Sequence, residues 1–464
     1  MKPLSLKMIV EIMNGTIIQG MDDLFIHEIE TRWKRFKPNT LFFDFYHGPS
    51  LPLNRDPKNF PYAIVTYRPD SFTGPSENVT IIRVADIEEA YWKFIDFYRN
   101  LFSIPVIGVT GTCGKTTTKE MVKHILSKTY QVSATYKSYN ASFRNLGYLL
   151  EMNDDTQAAV FEMGVAFAGD LITSCRYFKP RVGIITNIGI DHLQAFGTLD
   201  AYIKAKAEIL EGLDYQGTLI LNADDENIQK IDLHKFRGKI LYFGHSDSSH
   251  YKILKIIPED GILQCTFQYQ EKIYHFSVPG HGAFYAYNAV AAIAAAHSVG
   301  LEIGEAGQRL ASFQNVERHF EIKEGIQGST IIDDTWSTNP TSVEAALKLL
   351  QSLSHGKMTI AVLGKMSLLG SQSGKYHYQT GAKVAELGID RLIVIGPGAD
   401  EIWRGAIENG MESNDVYFCK DSDETYEVLQ KLLEITSLVL VKTSMLSSYK
   451  DLMDKIIVKN EQEE

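Results

Sequence analysis

The sequence predicts an α/β protein made of three consecutive domains. Three observations predict it. The chain has 464 residues, too many for a single hydrophobic core. Two separate series of short apolar strands alternating with helices each imply a largely parallel sheet. The first stretch, by contrast, has a mixed texture of its own. The expected domain boundaries are 1–103, 104–314 and 315–464.

The chain opens with MKPLSLKMIVEIMNG, whose apolar residues are interrupted by Lys7 and Glu11. That pattern reads as an amphipathic helix and not as the apolar segment of a secretory leader. Short strand-like stretches follow, and Pro49, Pro52, Pro57 and Pro61 favour turns among them. From Pro105, PVIGV, AAVFEM, VGIITNIG and GTLILNADDE read as strands, and TTKEMVKHILSK reads as a helix. Between about Tyr251 and Val278 the chain turns β-rich, and an alanine-rich helix from about Tyr285 to His297 closes the central domain. From Asn315 a second series runs through STIID, TIAVLG, RLIVIG and LVLVKT, each separated by one amphipathic helix. This gives a Rossmann-like C-terminal domain. The polar end, Lys459–Glu464, is expected to fray.

Composition narrows the function. Hydrophobic residues at 44% and charged residues at 22% are ordinary for globular domains, so disordered and fibrous classes are excluded. A formal charge of −11 argues against a non-specific nucleic-acid binder, which needs a basic face. Cys113, Cys175, Cys265 and Cys419 lie far apart without a CxxC pair, which fits a reducing compartment and offers no metal or disulfide framework. No apolar run reaches the ~18 residues that span a membrane. The expectation is a cytoplasmic monomer acting on small molecules.

The chemistry centres on one loop. The strand PVIGV runs into Gly108-Val-Thr-Gly111-Thr112-Cys113-Gly114-Lys115-Thr116-Thr117, and a helix follows at once. Glycines there let backbone N–H groups turn toward phosphate oxygens, and the helix N-terminus adds partial positive charge. Lys115 is placed to reach the β- and γ-phosphates of ATP, and Thr116 to ligate Mg²⁺. Val109 occupies the first glycine position of GxxxxGK[ST], so the signal rests on the shorter core GxxGK[ST]. Downstream, Glu162 ends the apolar strand of AVFEMG, where a carboxylate needs a cation or a donor. His192 follows another buried strand beside Asp191, which makes it a candidate metal ligand.

The loop variant GxTGTxGKTTT resembles the nucleotide loop of the Mur ligase family, and that family's other motifs follow in order. The resemblance implies that Glu162, in an unaltered E-M-G motif, helps to hold a catalytic magnesium. It implies that His192, in Thr186-Asn187-Ile-Gly-Ile-Asp191-His192-Leu, binds a second one. Lys206 in AKAEIL is similar to the family's lysine that becomes carbamylated; its spacing alone would make it a surface lysine. By the same resemblance Asn288 in YAYNAVAAIAAA contacts adenine, and Arg318 and Asp334 reach the γ-phosphate and the ribose. Lys115, Glu162, His192, Lys206 and Arg318 are thus the implied catalytic set. Asp333-Asp334-Thr-Trp-Ser-Thr-Asn339-Pro340-Thr-Ser resembles a signature of the MurF branch and adds Asn339 to the nucleotide set. VLGKMSLLG and His377 resemble another of that branch.

The departures cluster on the substrate side. Arg32-Trp33-Lys34 stands where the family has Asp-Ser-Arg, and no Asp-Gly-His follows Phe45-Tyr46-His47-Gly48. Lys365 and Leu368 replace two carboxylates, Met445 replaces an arginine, and Tyr285 replaces an asparagine. The resemblance therefore implies an ATP-dependent carboxylate–amine ligase working through an acyl phosphate, with altered substrates. Two alternatives stand beside it. One is the branch's own reaction, adding D-alanyl-D-alanine to a UDP-linked muramoyl tripeptide; the other is a non-catalytic ATP-binding regulator.

Overall fold

The computed structural model describes residues 1–33, 37–46, 56–72, 78–447 and 449–458, and its main strands form three sheets. Lys34, His47, Gly48, Pro49, Pro52 and the tail Lys459–Glu464, all singled out by the sequence, lie outside the described residues. The first sheet runs Thr16–Gln19, Val79–Arg83, Tyr62–Thr66, Thr40–Phe43, Glu28–Glu30, parallel throughout except for its first pair. Thr40–Phe43 and Tyr62–Thr66 are buried on both faces, which explains why TLFF and YAIVT read as continuous runs and not as alternation. One face, with Leu41, Phe43, Ala63 and Val65, packs on helices Leu6–Ile12 and Ile87–Asn100. Asp86 starts the second of these by accepting from the N–H groups of Glu88 and Glu89 at 2.8 and 2.9 Å. The opposite face carries Phe42, Tyr62 and Ile64 with Trp33 and Phe72.

The central sheet has nine strands. Val132–Ala134, Ala158–Glu162, Val106–Thr110, Val182–Ile185, Thr218–Asn222, Lys239–Gly244 and Tyr251–Glu259 are parallel. Ile262–Tyr269 and Lys272–Pro279 then return as antiparallel hairpins, the β-rich stretch expected from the sequence. The alanine-rich helix spans Ala283–Ser298, and its alanines from Ala286 to Ala296 have no exposed surface. Small side chains let it lie close to helix Lys115–Ser127 and to the sheet beneath.

The third sheet runs Glu321–Glu324, Thr330–Asp334, Ser437–Lys442, Met358–Gly364, Arg391–Ile395, Val416–Cys419, parallel except for its first strand. One expectation needs correcting here. The sequence suggested a single helix between RLIVIG and LVLVKT, but the chain inserts helix Asp400–Glu408, strand Val416–Cys419 and helix Ser422–Leu432. VYFC is a four-residue edge strand with two of its side chains partly exposed, too short to register as an apolar period.

The carboxyl ends of Val106–Thr110, Ala158–Glu162 and Val182–Ile185 confront those of Thr330–Asp334 and Ser437–Lys442 across a cleft. Crevices of this kind, at the carboxyl ends of parallel strands, are where α/β proteins bind ligands. The two sides already touch. Thr341 Oγ1 accepts from the Ile190 N–H at 2.9 Å, and Asn339 Nδ2 donates to Asp191 Oδ2 at 3.2 Å.

Candidate active site

The loop before helix Lys115–Ser127 is held by the neighbouring strand end. Asn187 Oδ1 accepts from the Cys113 N–H at 2.9 Å, while Asn187 Nδ2 and Thr186 Oγ1 donate to the Cys113 carbonyl at 3.0 and 2.6 Å. Gly111 and Gly114 have φ of 140° and 77°, a region that disfavours any side chain. A Cβ on Gly114 would also lie 2.5 Å from Asn288 Oδ1, so the adenine-side candidate packs directly on the loop. Gly114 is the N-cap and no side chain caps the helix, which leaves its first N–H groups available to an anion. Lys115 Nζ donates to the Thr112 carbonyl at 2.8 Å and so lies folded over its own loop.

Glu162 is 2% exposed at the end of its strand. Its Oε2 accepts from Thr116 Oγ1 at 2.9 Å and its Oε1 from Asn140 Nδ2 at 2.5 Å. A carboxylate and a hydroxyl side by side make an oxygen set suited to Mg²⁺, which keeps few protein ligands and takes the rest from water and phosphate. Among the described residues no three acidic, imidazole or thiol groups gather into a metal cage. His192 sits at φ 52° heading the short helix Leu193–Phe196, its ring 6.1 Å from that of Tyr202. Burial lowers its pKa against the opposing pull of Asp191, favouring the neutral imidazole that a metal requires.

Lys206 is 1% exposed behind the loop, with Nζ 3.3 Å from Thr110 Oγ1 and over the Tyr202 ring. Burial, and then the nearby charge of Lys115, push its pKa well below the usual lysine value. From the C-terminal side, Asp334 and Lys442 form a buried ion pair at 2.8 Å. Asn339 caps helix Pro340–Ser352, its Oδ1 accepting from the Ser342 N–H at 2.8 Å, and its Oδ1 stands 3.6 Å from Cys113 Sγ. Burial pushes the Cys113 thiol up to about 11, which makes it a poor nucleophile in the resting loop.

Thr112, Cys113, Gly114, Lys115, Thr116, Thr117, Glu162, His192, Asn288, Asp334 and Asn339 line one cavity of about 540 Å³. Gly111 and Lys206 lie behind its wall. Arg318 lines an adjoining cavity that shares Thr116, Ser138, His319 and Trp336 with the first. Its Nε and Nη2 donate to Thr335 Oγ1 and O at 2.8 and 2.9 Å. The structure thus brings most of the candidate residues together and sets Arg318 to one side.

The "Mur ligase middle domain" family matches residues 109–296, and the "Mur ligase, glutamate ligase domain" family matches 318–445. A UDP-N-acetylmuramoyl-tripeptide--D-alanyl-D-alanine ligase of Synechocystis sp. is 33% identical over 76% of this chain and 74% of its own length. The chain belongs to the Mur ligase family. The Bacillus subtilis protein of the same description is 28% identical over 95% of both chains, so the similarity extends through the first domain. Among solved structures, MurF from Acinetobacter baumannii superposes with a TM-score of 0.83 at 23% identity, covering 98% of each chain. MurF from Thermotoga maritima, solved with ADP, gives 0.76 at 22%, covering 92% of this chain and 96% of that one. These two likenesses establish the shared three-domain fold.

Several residues important to this Mur ligase's site were not assigned roles from the sequence. Asn140 orients Glu162 from a loop 22 positions earlier, and no local pattern marks it. Lys442 carried a signal, a lysine ending a buried strand, but its partner Asp334 comes from elsewhere in the chain. Tyr285, noted as a departure, donates to the His319 carbonyl at 2.8 Å and so ties the central domain to the segment carrying Arg318. Lys365 extends over Gly398, outside the loop cavity, while Met445 lines it.

Proposed function

We propose that this Mur ligase activates a substrate carboxylate with ATP and joins it to an amine, and that its substrates differ from those of the muramoyl-tripeptide ligases. The single observation that carries the ligase reading is the cavity in which the phosphate loop, Glu162 and His192 face Asp334, Asn339 and Lys442. ATP phosphates would sit on the N–H groups of Gly114–Thr117, with Lys115 swinging from the Thr112 carbonyl onto the β- and γ-oxygens. Mg²⁺, held by Thr116 and Glu162 with His192 available to a second ion, would supply charge neutralisation at the phosphates. The carboxylate oxygen attacks the γ-phosphorus and ADP leaves, giving an acyl phosphate. The amine then attacks its carbonyl carbon and gives up a proton, the C–O bond breaks, and phosphate leaves with that bond's electron pair. Closure of the C-terminal domain keeps water from the acyl phosphate, and Arg318 would leave Thr335 for the transferring group.

The lowered pKa of the buried Lys206 amine supports carbamylation: the unprotonated nitrogen adds to CO₂, one proton leaves, and an anion results beside the proposed magnesium site. Intact-mass measurement in bicarbonate should show the gain of one CO₂, absent in Lys206→Met. The changes at Arg32-Trp33, Lys365 and Met445 support altered substrates. The second reading, ligation of D-alanyl-D-alanine to the UDP-muramoyl tripeptide, is favoured by the match to the Bacillus subtilis ligase along 95% of both chains.

ADP release with the muramoyl-tripeptide and D-alanyl-D-alanine pair, set against a panel of other carboxylates and amines, decides between the two readings. Turnover with the first pair makes the departures variation within a cell-wall ligase. Turnover only with another pair establishes changed substrates. Lys115→Ala should abolish ADP release in either case with the fold intact by circular dichroism; unimpaired release in that variant removes the ligase assignment.

A further inference from the structure

We propose that Thr341, on the C-terminal domain, is a positioning residue for His192 on the central one, so that the imidazole is aimed into the cavity only while the two domains are docked; the proposal rests on the ligase reading above. The loop from strand Val182–Ile185 to helix Leu193–Phe196 divides in two by the origin of its partners. Its first half is held from within the central domain. Asn222 Nδ2 donates to the Thr186 carbonyl at 3.2 Å, and Asp225 Oδ2 accepts from the Ile188 N–H at 2.8 Å. Thr112 Oγ1, in the glycine-rich loop itself, accepts from the Gly189 N–H at 2.9 Å.

From Ile190 onward the loop turns to the C-terminal domain. The Ile190 N–H donates to Thr341 Oγ1 at 2.9 Å, Asp191 Oδ2 accepts from Asn339 Nδ2 at 3.2 Å, and the Gln194 N–H donates to the Leu368 carbonyl at 2.9 Å. Gln372 Nε2 then donates to the Gly197 carbonyl at 3.1 Å. The approach is close. A Cβ on Gly189 would stand 2.0 Å from Thr341 Oγ1, and one on Gly370 would stand 2.9 Å from the Gln194 Cα. The Ile190 side chain packs on the apolar cluster of the C-terminal domain.

His192 lies inside this run. Its φ of 52° is a left-handed conformation that a residue other than glycine keeps only where its surroundings over-determine it, and Leu368 across the interface has a φ of 64°. Among the described residues the imidazole makes no hydrogen bond, so the backbone and the Tyr202 ring 6.1 Å away are what aim it. Thr341 supplies the bond two residues earlier, at the point where the loop passes from one domain's hold to the other's. Without that hydroxyl the Ile190 N–H loses its acceptor, and the His192 backbone is free to relax to negative φ, carrying the imidazole away from the cavity. The coupling is reciprocal, so whatever binds His192 also favours docking.

Amide hydrogen exchange, read by mass spectrometry on the full chain without ligand, compares the parent with Thr341→Val and Thr341→Ser. Valine keeps the shape and removes the acceptor, whereas serine keeps the acceptor. Exchange over residues 190–197 should rise about fivefold in the valine variant and return toward the parent in the serine one, with helix Lys115–Ser127 unchanged. Unchanged exchange over 190–197, or a rise shared by that helix, overturns the positioning. With a non-hydrolysable ATP analogue and Mn²⁺, pulsed EPR should show a nitrogen coupling that His192→Ala abolishes, Thr341→Val weakens and Thr341→Ser restores. In turnover, Thr341→Val should lower kcat about tenfold with the KM for ATP unchanged. The reverse split overturns the positioning and makes Thr341 a nucleotide contact. Absence of the coupling in the parent removes the metal reading of His192, and silence with every substrate pair removes the ligase reading; in both cases the exchange result still decides the role of Thr341.

Discussion

Glu162 shows how a buried charge becomes useful when its partners are chosen. Two donors of different origin, the Thr116 hydroxyl and the Asn140 amide, fix its two oxygens. Asn140→Ala frees one oxygen and should lower kcat about 10–100-fold while raising the magnesium concentration needed for half-maximal ADP release. Were it only a surface loop residue, magnesium dependence would not move. Lys206 gives a pH prediction. Its folded pKa lies below its unfolded value, so the unfolded chain holds the extra proton between the two, and stability rises with pH across that window. Lys206→Met removes the buried amine. In CO₂-free buffer its melting temperature should exceed the parent's at pH 6, and the difference should shrink as pH approaches 10. Thr116 and Lys115 were legible because the loop is local, and Asn140 was not because its partner ends a strand 22 positions later.

At the level of elements, helices and strand ends are tied together by single polar groups that bridge domains. Arg99, 5% exposed on helix Ile87–Asn100, donates to the carbonyls of Phe178 and Phe102 at 2.6 and 2.7 Å. Phe178 ends helix Asp170–Phe178, so the guanidinium satisfies a terminal carbonyl and meets the negative end of the helix dipole. Burial lowers its pKa to about 10, still cationic at neutral pH. Arg99→Ala strands these acceptors and should cost about 2–3 kcal/mol, read as a lower urea midpoint with the slope unchanged. The amphipathic first helix emerged where its interrupted apolar pattern placed it, and the alanine-rich helix where its composition did. Strand Val416–Cys419 did not, because an edge strand of four residues lacks the length to declare a period.

Across the whole molecule the three domains are coupled unequally. One apolar cluster runs without a break from Leu4 and Phe94 in the first domain to Phe161, Phe178 and Leu221 in the second. The Tyr91 and Tyr177 hydroxyls, 2.6 Å apart, add a polar tie. The C-terminal domain has its own clusters and meets the central one through polar contacts at Asn339, Thr341 and Leu368 and through the partly buried Ile190 and Phe320. Calorimetry should therefore show the first two domains unfolding in one transition and the third in another. Mg-ATP at about 100 times its Kd should stabilise the binding unit by roughly 2.7 kcal/mol, and Lys115→Ala should abolish that shift. A single transition unresponsive to nucleotide would contradict both halves of this account.

The sequence by itself determined the α/β class, the glycine-rich loop and the strand ends that carry Glu162 and Asp334, with His192 beyond a third, because strand–loop–helix chemistry is written in consecutive residues. Only the tertiary structure decided what those groups touch. Asp334 is paired with Lys442, Asn339 caps a helix while reaching Asp191, and Arg318 rests on Thr335 beside the main cavity. Apart from the local Asn339 cap, each of these contacts joins residues distant in sequence, and it is packing, not local periodicity, that brings such partners within hydrogen-bonding range.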